Sequence, residues 1–129
     1  CLAIIDLDHF KQINDRYGHA VGDAVLQGFA QIAEATLPGT DRLARWGGEE
    51  FLLLLPETGL AEARALAERR RVEVQGLGLA TREHAVSLSA SFGVIERSTQ
   101  DQLEQLINQT DRLLYRAKHA GRNQVFAEA

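Results

Sequence analysis

The chain has 129 residues, of which 45% are hydrophobic and 25% charged, with a formal net charge of -4. That length suits one domain able to bury about two-thirds of its unfolded surface, and the negative balance argues against broad nucleic-acid binding by a basic surface. The lone Cys1 excludes an internal disulfide, and no apolar run approaches the roughly 20 residues of a membrane span.

Leu2 to Leu7 reads as a short buried strand ending in Asp6-Leu7-Asp8. A domain rarely begins inside its core, so the expectation is a fragment of a longer protein, missing its N-terminal lead-in. Asp6 shares a strand face with Ile4 and emerges at the C-terminal end, where open sheets commonly place ligands. Asp8 is expected to N-cap a short helix over His9 to Arg16. That helix start, His9-Phe10-Lys11, offers free N–H groups and a lysine to an anion. Gly18 closes the helix.

A longer helix follows, with Val21, Val25, Phe29, Ile32, Ala33 and Leu37 at helical spacing on its inner face. Gly22 near its start costs about 1 kcal/mol against Ala, which close approach of another group would explain. Asn14 and Asp23 flank the junction of the two helices, so both can look into one pocket; an amide with a carboxylate suits a guanine edge. His19 has no second His at ligand spacing and reads as local capping or packing. Pro38-Gly39 ends the second helix.

Arg42-Leu43-Ala44-Arg45-Trp46 alternates as a half-buried strand, and Leu52 to Leu55 continues as a buried one. Gly47-Gly48 between them predicts a tight hairpin through the positive φ that glycine tolerates. Glu49 and Glu50 leave the turn pointing to opposite faces, so at least one meets the crowded side of the sheet or a ligand. Leu60 to about Glu73 is a third helix with Leu60, Ala63 and Ala67 inward and Arg69-Arg70-Arg71 as a solvated C-terminal face. Residues 74 to 85 carry little pattern. Val86 to Ile95 alternates as a strand, with Val86, Leu88, Ala90, Phe92 and Val94 on one face. Ser98 or Thr99 is expected to cap a strong amphipathic helix carrying Leu103, Leu106, Ile107, Leu113, Leu114 and Ala117. Asn123 to Ala127 is a last edge strand. The order β-α-α-β-β-α-(β)-β-α-β, with helices expected on one face of a mainly antiparallel sheet, is an α+β domain.

The string Arg45-Trp46-Gly47-Gly48-Glu49-Glu50-Phe51 resembles the signature of the GGDEF family of diguanylate cyclases, in its GGEEF form. Four further stretches resemble family motifs in the family's order. They are Asp6 to Asp15, Gly18-His19-Ala20-Val21-Gly22-Asp23, Ser91-Phe92-Gly93-Val94, and Tyr115-Arg116-Ala117-Lys118 with Gly121-Arg122-Asn123. The resemblance covers nearly the whole chain. It implies a palm-like nucleotidyl-cyclase fold, condensation of two GTP into cyclic diguanylate, and Mg²⁺ (or Mn²⁺) as cofactor. It also implies a homodimer of domains for catalysis, an N-terminal sensor or regulatory domain in the full protein, and a cytoplasmic domain without membrane contact.

Carried over residue by residue, the resemblance makes Asp6 and Glu49 metal-binding carboxylates, with the Leu7 carbonyl as a further ligand and Glu50 assisting. Carboxylates about 4 Å apart repel by roughly 4 kcal/mol per pair at an effective dielectric near 20, and a hard dication relieves that. Glu49 is a candidate acceptor of the 3′-hydroxyl proton; direct metal activation is equally compatible. Gly47 and Gly48 leave room for ribose and phosphates. Asn14 and Asp23 read guanine. Lys11, Lys118 and Arg122, with the N–H groups of Phe10 and Lys11, hold the β- and γ-phosphates. The chain departs from the family where many members carry an Arg-x-x-Asp inhibitory motif: Pro38 stands at the Arg position and Asp41 at the Asp. Arg69 is a possible secondary contact. A catalytically silent GTP-binding regulatory domain is the alternative reading. A phosphohydrolase built on Asp6-x-Asp8 lacks that chemistry's other signatures.

Overall fold

A computed structural model describes residues 1–34, 42–45, 47–56, 58–76, 79–80, 85–86, 88–97 and 102–128. The elements are β1 (Leu2–Leu7), α1 (Phe10–Tyr17), α2 (His19–Glu34), β2 (Arg42–Arg45), β3 (Glu50–Leu54) and α3 (Leu60–Gly76), followed by β4 (Leu79–Ala80), β5 (Ala85–Val86), β6 (Ala90–Ile95), α4 (Leu103–His119) and β7 (Val125–Glu128). Five strands form one sheet in the order β2-β3-β1-β6-β7, and β4 pairs with β5 in a separate ribbon. All pairings in the main sheet are antiparallel except β6 with β7. The expected α+β domain is borne out. The predicted strand over Val86 to Ile95 is divided, its first residue, Val86, belonging to the ribbon.

Central β1 is buried along its whole length, and its alternation decides which helix packs where. Ala3, Ile5 and Leu7 join Phe51, Leu53, Phe92 and Val94 in a core with Val25, Leu26 and Phe29 of α2 and Ala63, Leu66 and Ala67 of α3. Leu2 and Ile4 face the other way, against Leu106, Leu113 and Leu114 of α4. The helices therefore cover both faces, not one. Strands apolar on both sides require this, because a single helical layer would leave Ile4 and Leu52 in water. On α2, Leu26 replaces the half-buried Val21 and Ile32 in the inner stripe; Leu37 and Pro38-Gly39 lie outside the described residues.

One detail sets the distance between α4 and the sheet. A Cβ at Gly93 would stand 2.5 Å from the Thr110 carbonyl oxygen and 2.6 Å from the Leu114 nitrogen, so glycine lets the helix backbone rest on β6. The helix starts at Leu103 with Gln102 as N-cap, rather than from Ser98 or Thr99, which lie outside the described residues.

The arginine run on α3 is also not the solvated face expected. Arg70 is 3% exposed and bonds Glu73 at 3.0 Å. Arg71 is held by Glu68, a pairing that lowers the Glu68 pKa and raises that of Arg71. The helix runs on to Gly76, so these residues are not in its last turn. Of the three, only Arg69 is exposed.

Candidate active site

Five element ends converge at one edge of the fold: the end of β1, the starts of β3, β6 and α1, and the last turn of α4. Asp6 sits opposite Glu50 on β3 and opposite Ser91 on β6, while the Leu7 N–H donates to the Glu49 carbonyl at 3.3 Å. Directly opposed residues share a face, so Asp6 and Glu50 both turn toward α4. Lys118, in the last turn of that helix, donates to Asp6 Oδ2.

Asp6 is only 3% exposed, and burial pushes its carboxyl up to about 6. The Lys118 ammonium partly opposes that rise; the Glu49 and Glu50 charges add to it. Burial also raises Glu50, with the charge of Asp111 from α4 next in importance. A buried carboxylate with one cation partner and two like charges nearby gains from a further cation. The oxygen donors suit a hard dication. No three acidic, His or Cys side chains stand close enough to hold a metal ion among the described residues. A cation here would thus use one or two carboxylates plus main-chain or phosphate oxygens, which is the usual Mg²⁺ arrangement.

Asp6, Leu7, Phe10, Lys11, Glu49, Lys118 and Arg122 all line one cleft of about 150 Å³. That volume is small beside whole-ligand pockets and suits a phosphate group. A wider groove of about 540 Å³ opens on the α4 side of Glu50 and Lys118, bordered by Asp111, Arg112, Tyr115 and Arg116. The larger space is the less informative one, since it shares only Glu50 and Lys118 with the predicted set.

The structure corrects the role expected of Asp8. The N-cap of α1 is His9, at φ 57°, and makes no side-chain cap. Asp8 instead turns inward, accepting from Ser89 Oγ at 2.7 Å, Ser91 Oγ at 2.7 Å and the Asn123 N–H at 3.0 Å. Among the described residues, neither Asp8 nor His9 caps the leading N–H groups of α1, and the helix start lines the cleft, a suitable place for an anion.

Arg122 reaches the cleft from an unusual turn. Gly121, Arg122 and Asn123 have φ of 124°, 63° and 48° in succession. Non-glycine residues in this region cost on the order of 1 kcal/mol or more each, so the surroundings must hold them.

Asn14 and Asp23 line neither cleft. The Asn14 side chain lies over Gly22, where a Cβ would overlap Asn14 Oδ1. This is the close approach that justifies glycine inside α2. Among the described residues, Asn14 Oδ1 is buried without a hydrogen-bond partner, at a cost of about 1–3 kcal/mol that an incoming N–H donor would recover. Asp23 is exposed beside it.

The hairpin departs from its predicted form. Residues 46–49 lie between β2 and β3, a longer connection than the predicted two-glycine turn, and the Gly47 N–H donates to the Glu50 carbonyl at 3.2 Å. A Cβ on Gly48 would meet nothing within 4 Å, so the chain's own packing does not demand glycine there. Arg45, which sequence reasoning passed over, clasps the turn, donating to the Gly47 carbonyl at 3.2 Å and the Gly48 carbonyl at 2.6 Å. An arginine immediately before the turn was the available signal. Pro38, Asp41 and Trp46 lie outside the described residues, and Arg69 lines neither cleft.

A family model described as diguanylate cyclase, GGDEF domain, matches residues 1–124. The diguanylate cyclase VdcA of Vibrio cholerae is 41% identical over 127 residues, spanning 96% of this chain and 38% of its own length. The diguanylate cyclase SiaD of Pseudomonas aeruginosa, solved in complex with its activator SiaC, superposes with a TM-score of 0.93 at 42% identity, covering 98% of this chain and 49% of that one. The GGDEF domain of DgcB from Caulobacter crescentus, solved in complex with c-di-GMP, gives 0.92 at 34% identity, covering 98% and 76%.

Proposed function

Because the chain belongs to the GGDEF-domain family of diguanylate cyclases, we propose that it condenses two GTP molecules into cyclic diguanylate and two pyrophosphates. The chain spans well under two thirds of VdcA, and we read it as the catalytic domain of a longer protein with a regulatory region. One observation carries the reading. Seven predicted residues from three separate stretches of sequence line a single phosphate-sized cleft.

The family is divalent-metal dependent, and Mg²⁺ (or Mn²⁺), held by Asp6, Glu49 and the Leu7 carbonyl with Glu50 assisting, would neutralise phosphate charge and acidify the attacking hydroxyl. Lys11, Lys118, Arg122 and the leading N–H groups of α1 bind the β- and γ-phosphates. Lys118 exchanges its bond to Asp6 for one to phosphate. Asn14 and Asp23 read guanine, the unpartnered Asn14 oxygen taking an N–H from the base. Each 3′-oxygen forms a bond to the α-phosphorus of the other nucleotide, the bond to pyrophosphate breaks, and Glu49 accepts the hydroxyl proton. Two copies of the domain must face each other for this. No described helix is long and apolar enough to cross a membrane, and a GTP-consuming domain belongs in the cytoplasm.

Product feedback at the usual inhibitory position is expected to be weak. Pro38 offers no side-chain donor, and Asp41 alone would repel phosphates. Exposed Arg69 is a poor anchor by itself. The deciding experiment incubates the intact parent protein with GTP and Mg²⁺ and identifies product by mass. Cyclic diguanylate that disappears in Glu49→Ala supports the reading; bound but unconverted GTP in the wild type overturns it in favour of a silent regulatory domain.

A further inference from the structure

The turn that carries Arg122 is gripped from two sides at its neighbour Asn123. Asp8, buried at the end of β1, accepts the Asn123 N–H at 3.0 Å. Arg71 of α3 donates from Nη1 to the Asn123 side-chain oxygen at 3.0 Å. Each grip is itself fixed. Asp8 also takes the hydroxyls of Ser89 and Ser91. The Arg71 Nε lies 3.0 Å from both Glu68 oxygens, and Nη1 reaches Gln75 at 3.3 Å. A third restraint comes from Gln124, whose Nε2 donates to the carbonyls of Ala117 and Arg122. The turn follows directly on the helix end that carries Lys118, since the Arg122 N–H closes on the Ala117 carbonyl at 3.0 Å.

Consecutive left-handed residues persist only where neighbours over-determine them, and such strain gathers at functional positions. Here the restrained residues end in a side chain that lines the cleft beside Lys11 and Lys118. A mobile arginine on a free turn would lose rotational freedom on meeting a phosphate; one on a braced turn has lost part of it already. Arg71 stands 52 residues from Asn123 in sequence and lines neither cleft.

We propose that Arg71 and Asp8, acting through Asn123, are positioning residues that preset the Gly121–Asn123 turn and thereby aim Arg122 at the nucleotide's phosphates. This rests on the assignment of Arg122 to phosphate. Arg71 tunes nucleotide affinity without taking part in the chemistry.

The test uses the intact parent protein, measuring KM and kcat for GTP together with the affinity of a non-hydrolysable GTP analogue. Arg71→Ala, Arg122→Ala and the double variant are compared, with Asn123→Gly as a turn that keeps its conformation but lacks the side-chain grip. Expected are a rise of about five- to tenfold in KM and in analogue Kd for Arg71→Ala at nearly unchanged kcat, and a smaller rise for Asn123→Gly. In the Arg122→Ala background, Arg71→Ala should add nothing. If Arg122→Ala raises KM while Arg71→Ala leaves it unmoved, or if the two effects simply add, the positioning role is overturned and the phosphate assignment stands. If Arg122→Ala leaves KM and Kd unmoved, the phosphate assignment itself has failed, and the proposal falls with it. Asp8→Asn, checked by its melting temperature, should shift KM in the same direction as Arg71→Ala; a lowered melting temperature with unaltered KM would remove Asp8 from the proposal.

Discussion

Asp6 and Asp8 lie two positions apart at the end of β1 and are almost equally buried, at 3% and 4% exposure, yet they occupy opposite electrostatic situations. Asp8 accepts three hydrogen bonds from neutral donors on β6, the segment before it, and the turn after α4. Asp6 has the Lys118 ammonium on one oxygen and the charges of Glu49 and Glu50 close by, and its carboxyl is held up near 6. A buried carboxylate surrounded by matched donors is a fastening. One left short of compensation marks a place where something else binds. The difference separates architecture from chemistry within three residues of chain.

The largest effect that would sharpen this contrast is on catalysis. Asp6→Ala or Glu49→Ala should lower cyclic diguanylate formation by about a thousandfold or more, since several kcal/mol of transition-state stabilisation would be lost, with little change in melting temperature. Asp8→Ala should act chiefly on folding, costing about 3 kcal/mol because three donors lose their acceptor, beside the KM shift expected from its hold on the Arg122 turn. Urea unfolding midpoints would measure it, and an unchanged midpoint would break the contrast. Next comes Gly93→Ala, which forces α4 away from β6 and should cost about 2 kcal/mol by overpacking. Because α4 also carries Lys118, this variant should bind nucleotide more weakly than its stability alone would suggest.

The smallest effect is the pH dependence of the metal-free protein. The Asp6 carboxyl rises from 3.8 unfolded to about 6 folded, so the folded chain holds this proton more tightly than the unfolded one. The resulting stabilisation is complete below about pH 4 and is lost as pH climbs through about 6. Against the background of other carboxylates, the difference between wild type and Asp6→Asn over that interval isolates it. A flat difference would show that Asp6 is better compensated than its surroundings indicate.

Local rules carried much of the sequence reading. Apolar spacing located the helices and the principal strands, and the order of motifs located Asp6, Glu49, Lys118 and Arg122, which the fold then gathers. What escaped was non-local. Asp8 follows the local pattern of an N-cap, but its real partners stand 81, 83 and 115 residues away, where no spacing rule reaches. Arg70 and Arg71 read as a solvated run because the segments that bury them come from elsewhere in the chain. The double coverage of the sheet was written in the two-sided burial of Leu2 to Leu7, yet it becomes decisive only when α4 is seen resting on Gly93. Gly47 and Gly48 read as a two-residue turn, but the connection between β2 and β3 is longer, and a Cβ on Gly48 would meet nothing within 4 Å.

The most direct test is thermal unfolding at pH 8 of the wild type and Asp6→Asn, each with and without Mg²⁺ plus a non-hydrolysable GTP analogue. An uncompensated carboxylate held for a cation predicts that Asp6→Asn melts higher than the wild type when metal-free and gains little from Mg²⁺ and analogue, while the wild type gains strongly. A metal-free Asp6→Asn protein that melts lower than the wild type and is still stabilised by Mg²⁺ and analogue to the same extent would contradict the account.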